Sequence, residues 1–206
     1  MSFEGIKDKV GRYYSGRLHE HGASARGVDW NSEESQVLRF VQLARVLPPS
    51  GPFSVVDYGC GYGALVDFLE RESADFGYQG FDISGDMIER ARIDHEHSRH
   101  RFTTREDDLE PADFALASGI FNVRLDTSLE DWTAYVLHTL ERLDSLGGQG
   151  FAFNMLTSYS DHDRMRADLY YGDPCFFFDH CKTRYSKQVG LLHDYGLYEF
   201  TILVRK

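Results

Sequence analysis

Apolar positions along the chain fall into short runs typical of buried strands and longer stretches with helical spacing, and the two kinds of segment alternate. Such alternation predicts a parallel sheet with helices packed on its faces. The predicted strands cover residues 53–58, 78–83, 101–104, 113–118 and 149–155. The predicted helices between them cover residues 64 to about 72, 84 to about 96 and 128–143, and Ser84 and Ser128 are N-caps of the last two.

The segments that flank this alternation have their own patterns. Residues 31–47 carry one apolar stripe and predict a helix, with Asn31 and Glu34 arranged as in a capping box. Residues 1–30 are polar and show no clear periodicity, so no element is predicted there. Asp173 followed by Pro174 predicts the start of a short helix that ends at about Lys182.

The C-terminal residues break the alternation. Residues 187–194 and 197–204 are two strand-like runs, separated only by Tyr195 and Gly196. A parallel connection needs a dozen or more residues, so this spacing favours an antiparallel hairpin. A competing interpretation makes residues 186–194 a short helix that ends at Gly196. The favoured fold is α/β, with five parallel strands in a doubly wound sheet followed by an antiparallel hairpin.

Length and composition limit the class of protein. The 206 residues include 42% hydrophobic and 27% charged residues, so we expect residues 1–206 to form a single globular domain. Twenty-two basic against 33 acidic residues give a net charge of −11, which disfavours nucleic acid and anionic membranes as partners. The chain shows neither the long apolar run of a membrane span nor the apolar core of a signal peptide. We therefore expect a cytoplasmic protein.

The strongest local signal is the glycine-rich turn that follows the first predicted strand. It reads Asp57-Tyr58-Gly59-Cys60-Gly61-Tyr62-Gly63 and leads into a predicted helix. Glycine permits unusual backbone angles and the close approach of a ligand, while the start of the helix offers unpaired N–H groups. Sheets of this class bind ligands in the crevice at the carboxyl ends of their strands, where Asp57 lies.

Acidic residues also end the next two predicted strands. Asp82 closes the second strand, where a carboxylate can accept hydrogen bonds from both ribose hydroxyls of a nucleoside. Asp107 and Asp108 follow the third strand, where an acidic side chain can accept a hydrogen bond from an adenine amino group. Ser118 and Gly119 follow the fourth strand and offer small side chains along the crevice floor.

The glycine turn alone leaves alternatives open. Gly59-x-Gly61-x-x-Ala64 also fits the dinucleotide-binding pattern, which would indicate an NAD(P)-dependent oxidoreductase. Three features favour another ligand. Asp57, directly before the glycines, would repel a pyrophosphate but attract ammonium and sulfonium groups. None of the twelve tyrosines is followed four residues later by lysine, as a short-chain dehydrogenase requires, and the hairpin is foreign to the usual dinucleotide fold.

Taken together, these features resemble a class I S-adenosylmethionine-dependent methyltransferase over residues 53–206. They are Asp57-x-Gly59-x-Gly61-x-Gly63, Asp82 at the second strand's end, Asp107-Asp108 after the third, and the terminal hairpin. The resemblance implies a seven-stranded sheet with one antiparallel strand. It also implies S-adenosyl-L-methionine as cofactor, lying across the carboxyl ends of the first four strands. A module that binds this cofactor without transferring a methyl group is a further alternative.

The resemblance also implies roles for individual residues. Asp57, Gly59, Gly61 and Gly63 would line the methionine portion of the cofactor. Asp82 would hold the ribose, with Ile83 packed on the adenine. The amino edge of the adenine would meet Asp107 or Asp108, together with Leu109, and Ser118 would lie near the transferable methyl group.

The methyl acceptor needs a chamber, and a chain of this length has no separate substrate domain. Residues 1–50, as a lid and a helix, and an insertion at about 156–185 are expected to supply it. Trp30 is a candidate to cover the crevice, and His21 and His162 are the candidates for acid–base work. The residues after the fourth strand lack the Asn/Asp-Pro-Pro-aromatic motif of nucleic-acid base methyltransferases, which favours a small polar molecule or a glycan-linked group as substrate.

No metal site is predicted. His95, His97 and His100 lie near the end of a charged helix, and the first two do not share a helical face. The run Asp161-His162-Asp163 is too local to establish a magnesium site. The patterns make no prediction about the oligomeric state.

Overall fold

A computed structural model describes residues 2–30, 32–72 and 75–206, and within them seven strands form one sheet. The strands are β1 (Phe53–Tyr58), β2 (Phe76–Phe81), β3 (Arg101–Thr103), β4 (Ala112–Ala117), β5 (Gly147–Leu156), β6 (Gln188–Leu192) and β7 (Glu199–Arg205). Their order across the sheet is β3-β2-β1-β4-β5-β7-β6. The first five are parallel, and β7 is antiparallel to both β5 and β6.

Helices cover both faces of this sheet. They are α1 (Phe3–His21), α2 (Glu33–Ala44), α3 (Ala64–Glu72), α4 (Gly85–Asp94), α5 (Leu129–Leu146) and α6 (Pro174–Arg184), with short 3₁₀ turns at Ala25–Val28, Glu106–Asp108 and His162–Arg164. No helix in the described ranges is long and apolar enough to cross a membrane.

The core consists of one apolar layer on each face of the sheet. Val55 packs in the layer under α2, α3 and α4, whereas its neighbour Val56 packs in the layer under α1, α5 and α6. In β5, Ala152 packs in the same layer as Val55, and its neighbour Phe151 packs in the same layer as Val56. Successive side chains of a strand point to opposite faces, so runs of consecutive apolar residues are what a sheet covered on both sides requires. The predicted fold class is confirmed.

The C-terminal hairpin is also confirmed, and the competing helix over residues 186–194 is wrong. β7 lies inside the sheet, with Phe153 of β5 opposite Ile202 and Val189 of β6 opposite Val204. The connection is longer than the predicted two-residue turn and covers residues 193–198. The first predicted strand has the observed bounds of β1, and the next four differ from the observed strands by one or two residues at their ends.

Two predictions near the N-terminus need correction. Residues 3–21 form a helix, although no element was predicted there. Ile6, Val10, Tyr14 and Leu18 recur every fourth residue and face the protein, but the stripe is narrow and the residues between them are mostly polar. In α2 the capping box joins Ser32 and Ser35, not Asn31 and Glu34, because the Ser32 hydroxyl accepts from the Ser35 N–H (3.2 Å). Asn31 itself lies outside the described residues.

Candidate functional site

A crevice lies at the carboxyl ends of β1, β2 and β4 and encloses a cavity of about 90 Å³. Among the residues predicted to form a site, it brings together Asp57, Gly59, Gly61, Asp82, Ile83 and Ser118. Parallel strands all end at the same edge of a sheet, so residues distant in sequence meet there. This space, with all the residues that line it, is called the crevice below.

The glycine turn closes tightly against the end of β2. The N–H groups of Gly59 and Cys60 both donate to the carbonyl of Phe81, at 2.7 and 2.9 Å. Gly59 has a φ of 86°, and a Cβ at this position would overlap the side chain of Ile120. A side chain there would therefore strain the backbone and fill the crevice.

The carboxylate of Asp82 ties the glycine turn to α4. One of its oxygens accepts from the Gly61 N–H (2.9 Å) and the other from the Ser84 N–H (2.8 Å). Desolvation raises the pKa of Asp82 to about 6, although these two hydrogen bonds oppose the shift. A carboxylate has about four acceptor positions, so two remain for hydroxyl groups of a ligand.

Asp57 is the more deeply buried acid of the crevice, and only 1% of it is exposed. Its Oδ2 accepts from the hydroxyl of Tyr78 at 2.6 Å. Burial raises the pKa of Asp57 to about 7, the Tyr78 hydrogen bond lowers it, and the charge of Asp82 raises it further. The buried Asp57 and the half-buried Asp82, both with raised pKa values, make the crevice a favourable place for a cationic group, which would stabilise their ionised forms.

Unpaired polar atoms also mark this end of the sheet. The hydroxyl oxygen of Ser118 is buried and makes no hydrogen bond to any described residue. In Asn154, at the end of β5, Oδ1 accepts from the Gly119 N–H (2.7 Å), while the buried Nδ2 has no partner among the described residues. Buried polar groups in proteins are normally paired, so a free hydroxyl on the crevice wall fits a site that receives a polar ligand.

Four predicted site residues lie outside the crevice. Leu109 is packed in the core, and Gly63 is buried where a Cβ would approach Nε2 of His95 to 2.8 Å. Asp108 accepts from the hydroxyl of Thr103 (2.9 Å). Asp107 lines a cleft of about 590 Å³ under α1, which shares Phe81 and Ile83 with the crevice. This second space is called the wide cleft below.

The N-terminal residues close the crevice from above. Val10 and Tyr14 of α1 line it, and the Ser15 and Ser84 hydroxyls are hydrogen-bonded at 2.9 Å. Val28 and Trp30 also line the crevice, and the role of Trp30 as a cover stays a prediction. Val10 carried no functional signal in the sequence, although its spacing of four from Ile6 and Tyr14 indicates a buried helical face.

A second cavity, of about 320 Å³, lies beyond this cover and is called the outer chamber below. Tyr14, Val28 and Trp30 line both the crevice and the outer chamber and form the wall between them. The other residues of the chamber come from distant parts of the chain and include Asp29, Arg39, Asn122, Ser160, Arg164, Arg166, Tyr171, Tyr198 and Glu199. No sequence motif connects them.

The two histidines predicted for acid–base work line neither cavity. His21 is the last residue of α1, with its ring 3.6 Å from the carboxylate of Glu20. His162 begins an exposed 3₁₀ turn. Within the described ranges, no group of three or more His, Cys, Asp or Glu side chains is arranged to hold a metal ion.

Comparisons with known proteins agree with this geometry. Residues 55–142 match a family described as a methyltransferase domain. A putative methyltransferase of Mycobacterium tuberculosis is 50% identical over 163 residues, which cover 79% of this chain and 98% of the relative.

Solved structures with low sequence identity share the fold. The magnesium protoporphyrin IX methyltransferase of Synechocystis, solved with bound S-adenosylhomocysteine (SAH), has a TM-score of 0.67 and 15% identity, with full coverage of both chains. Human N-acetylserotonin methyltransferase, solved with S-adenosylmethionine, has a TM-score of 0.67 and 17% identity over all of this chain and 60% of its own. With its family match, its half-identical relative and this fold, the chain belongs to the class I S-adenosylmethionine-dependent methyltransferases.

Proposed function

We propose that this methyltransferase acts on a small polar molecule or on a glycan-linked hydroxyl, amine or carboxylate. The observation that carries this proposal is the outer chamber, which adjoins the crevice through a single wall. At about 320 Å³ it has the size of a small-molecule site. Its lining of arginine, tyrosine, aspartate and asparagine side chains suits an acceptor with several hydrogen-bonding groups.

The crevice has the chemistry that the cofactor needs. S-adenosyl-L-methionine, when bound, supplies a methyl group on a positively charged sulfur. Asp57 and the turn at Gly59 and Gly61 would hold its cationic amino acid end, and Asp82 would accept the ribose hydroxyls. The unpaired Ser118 hydroxyl and the raised pKa values of the two acids are the observations that fit this group.

The adenine end is assigned to the wide cleft. Ile83 lines both the crevice and the wide cleft, so it would pack against the ring where the two spaces meet. Asp107 lines the wide cleft and would meet the amino edge, whereas Asp108 is bonded to Thr103. Gly63 and Leu109 would act indirectly, since Gly63 leaves room for His95 and Leu109 packs in the core.

Two parts of one domain would form the binding site for the methyl acceptor. Residues 1–50 would act as a lid and a helix, because α1 and residues 28–30 lie over the crevice. The insertion at about 156–185 would form the far wall of the outer chamber, to which it contributes residues between Leu156 and Tyr171. A cytoplasmic location remains a prediction from the sequence.

Ligand-induced stabilisation separates this proposal from its rivals. At SAH concentrations 100 times its Kd, we expect the free energy of unfolding to rise by about 2.7 kcal/mol, with no effect of NADH. Stabilisation by NADH alone would favour the oxidoreductase alternative. SAH binding without transfer of label from methyl-tritiated S-adenosylmethionine to polar metabolites, including glycan-linked ones, would favour the non-catalytic module.

A further inference from the structure

The wall between the crevice and the outer chamber depends on the position of one indole ring. Trp30 lines both cavities, on the edge of the crevice where Ser118 and Gly119 end β4. Gly119 has a φ of 70°, and a Cβ on it would overlap the Trp30 ring. The indole therefore occupies the space that the missing side chain of Gly119 leaves.

The indole ring of Trp30 also lies against a buried ion pair. The guanidinium carbon of Arg39 lies 3.9 Å from the centre of the Trp30 ring. Arg39 donates to both carboxylate oxygens of Glu199, at 2.6 and 2.7 Å, and to the carbonyl of Ser35 at 2.7 Å. The Arg39 and Glu199 side chains are only 7% and 1% exposed. One face of the indole thus lies against a guanidinium that is itself held in a buried ion pair.

The present volume of the crevice is small for the part of the ligand proposed to occupy it. Pockets for drug-sized ligands usually have roughly 300 Å³ or more. The crevice encloses about 90 Å³, and it is proposed to hold the methionine and ribose portions of the cofactor, because the adenine end is assigned to the wide cleft. The floor of the crevice consists of strand ends and the glycine turn, which hydrogen bonds hold in place. Its cover consists of Val10 and Tyr14 of α1 with Val28 and Trp30, and α2 adds Gln36 and Phe40 to the lining. The cover is therefore the part that must move when the cofactor binds.

We propose that Trp30 is a gate between the two cavities. The cofactor, on entering the crevice, displaces the indole from Gly119 and so joins the crevice to the outer chamber. The acceptor then reaches the transferable methyl group only after the cofactor has bound. This inference rests on the proposed function, because it assigns the cofactor to the crevice and the acceptor to the outer chamber. A ligand can drive such a change when it binds the open form more tightly than the closed one.

Fluorine NMR on the full-length protein tests the gate directly. The chain has two tryptophans, Trp30 at the wall and Trp132, which is fully buried. Incorporation of 5-fluorotryptophan gives one resonance for each, and Trp30→Phe assigns them. We expect saturating SAH to increase the exposure of Trp30 to solvent, measured as a larger shift difference between H₂O and D₂O, and to leave Trp132 unchanged.

The direction of the change in Trp30 exposure distinguishes a gate from a fixed wall. If SAH binds by calorimetry and the exposure of Trp30 falls or stays the same, the indole is a fixed wall that the ligand covers, and the gate is overturned. If SAH does not bind by calorimetry, the proposed function fails, and the gate with it. These two failures are distinguished by the calorimetric titration alone.

A variant gives an independent readout. In Trp30→Ala the cofactor need not displace an indole, so we expect SAH to associate several-fold faster and to bind at least as tightly as in the wild type. Val28→Ala, which shortens another side chain of the same wall, serves as the matched control and should change association less. Weaker binding in Trp30→Ala, with folding verified by the Trp132 signal, would overturn the gate.

Discussion

The crevice and the outer chamber differ in how the chain builds them. The crevice is formed mainly by residues at or just after the ends of strands, such as Asp57, Asp82 and Ser118, and the pairing of β1 with β2 and β4 holds these strand ends together. The outer chamber collects side chains from residue 14 to residue 199, held by contacts such as the Arg39–Glu199 pair. Local geometry thus positions the proposed cofactor site, whereas long-range ion pairs and packing position the proposed acceptor site.

Breaking the Arg39–Glu199 pair tests the chamber's support. Glu199→Gln leaves a buried guanidinium with no charged partner, so we expect a loss of roughly 3–5 kcal/mol in the free energy of unfolding, measured in urea. Glu110→Gln removes an exposed partner of Arg101 and should cost less than about 1 kcal/mol. Equal losses in the two variants would show that burial does not make the difference.

Removing the carboxylate of Asp82 tests the crevice. Asp82→Ala should weaken SAH binding by roughly 1.5–3 kcal/mol, the usual scale for a hydrogen bond to a charged group. Calorimetric titration gives the affinity, and Asp108→Ala is the matched control because that carboxylate lies outside the crevice. Unchanged affinity in a folded Asp82→Ala protein would remove Asp82 from the site.

The acidity of Asp57 predicts how binding depends on pH. Its pKa is raised to about 7, so in the free protein it is largely protonated below that pH. A bound ammonium group favours the carboxylate, and binding therefore releases a proton. SAH affinity should rise with pH between 6 and 7, by at most about 1.4 kcal/mol per unit, and level off above 7.

Asp57→Asn identifies the source of that slope. The variant keeps Asp82, whose pKa of about 6 leaves a dependence only at lower pH. Its SAH affinity should be lower than that of the wild type and nearly flat between pH 6 and 7. An unchanged slope in this variant would assign the titration to another group.

The smallest expected effects contrast two serines, one in each cavity. The Ser118 hydroxyl in the crevice has no partner among the described residues, so Ser118→Ala should leave the free protein's stability almost unchanged and weaken SAH binding by about 0.5–1.5 kcal/mol. Ser160 in the outer chamber donates to the carbonyl of Thr157 at 2.7 Å, so Ser160→Ala should cost about 1 kcal/mol of stability and leave SAH binding unchanged. Urea unfolding and calorimetry measure both; the reverse pattern would contradict the difference drawn between the cavities.

Much of the fold was predictable because its signals are local. The boundaries of β1 and α3 agree with the apolar runs at residues 53–58 and 64–72, and Ser84 and Ser128 cap α4 and α5 as expected. The helix α1 escaped prediction because it presents a narrow apolar stripe along a mostly polar surface. Its buried side chains Ile6 and Val10 pack in the core layer on one face of the sheet, and the residues near them in the sequence do not indicate that contact.

In the candidate site, too, residues with local signals were predictable and contacts between distant segments were not. Asp57, Asp82 and the glycines were found because strand ends and turns have recognisable residue types at fixed spacing. The hydrogen bond from the Tyr78 hydroxyl to Asp57 was not predicted, because the two residues meet only when β1 and β2 pair in register. His21 and His162 were chosen for their chemistry alone, and neither lines the crevice or the outer chamber.

The sequence by itself determined the alternation of strands and helices, the hairpin and the acidic glycine turn, because each depends on residues close together in the chain. Only the tertiary structure decided that Trp30 lines two cavities and lies against both Gly119 and Arg39. Those three residues come from separate segments, and Arg39 is held by a carboxylate 160 positions away. Contacts of that range arise from packing of the whole sheet, and no local pattern encodes them.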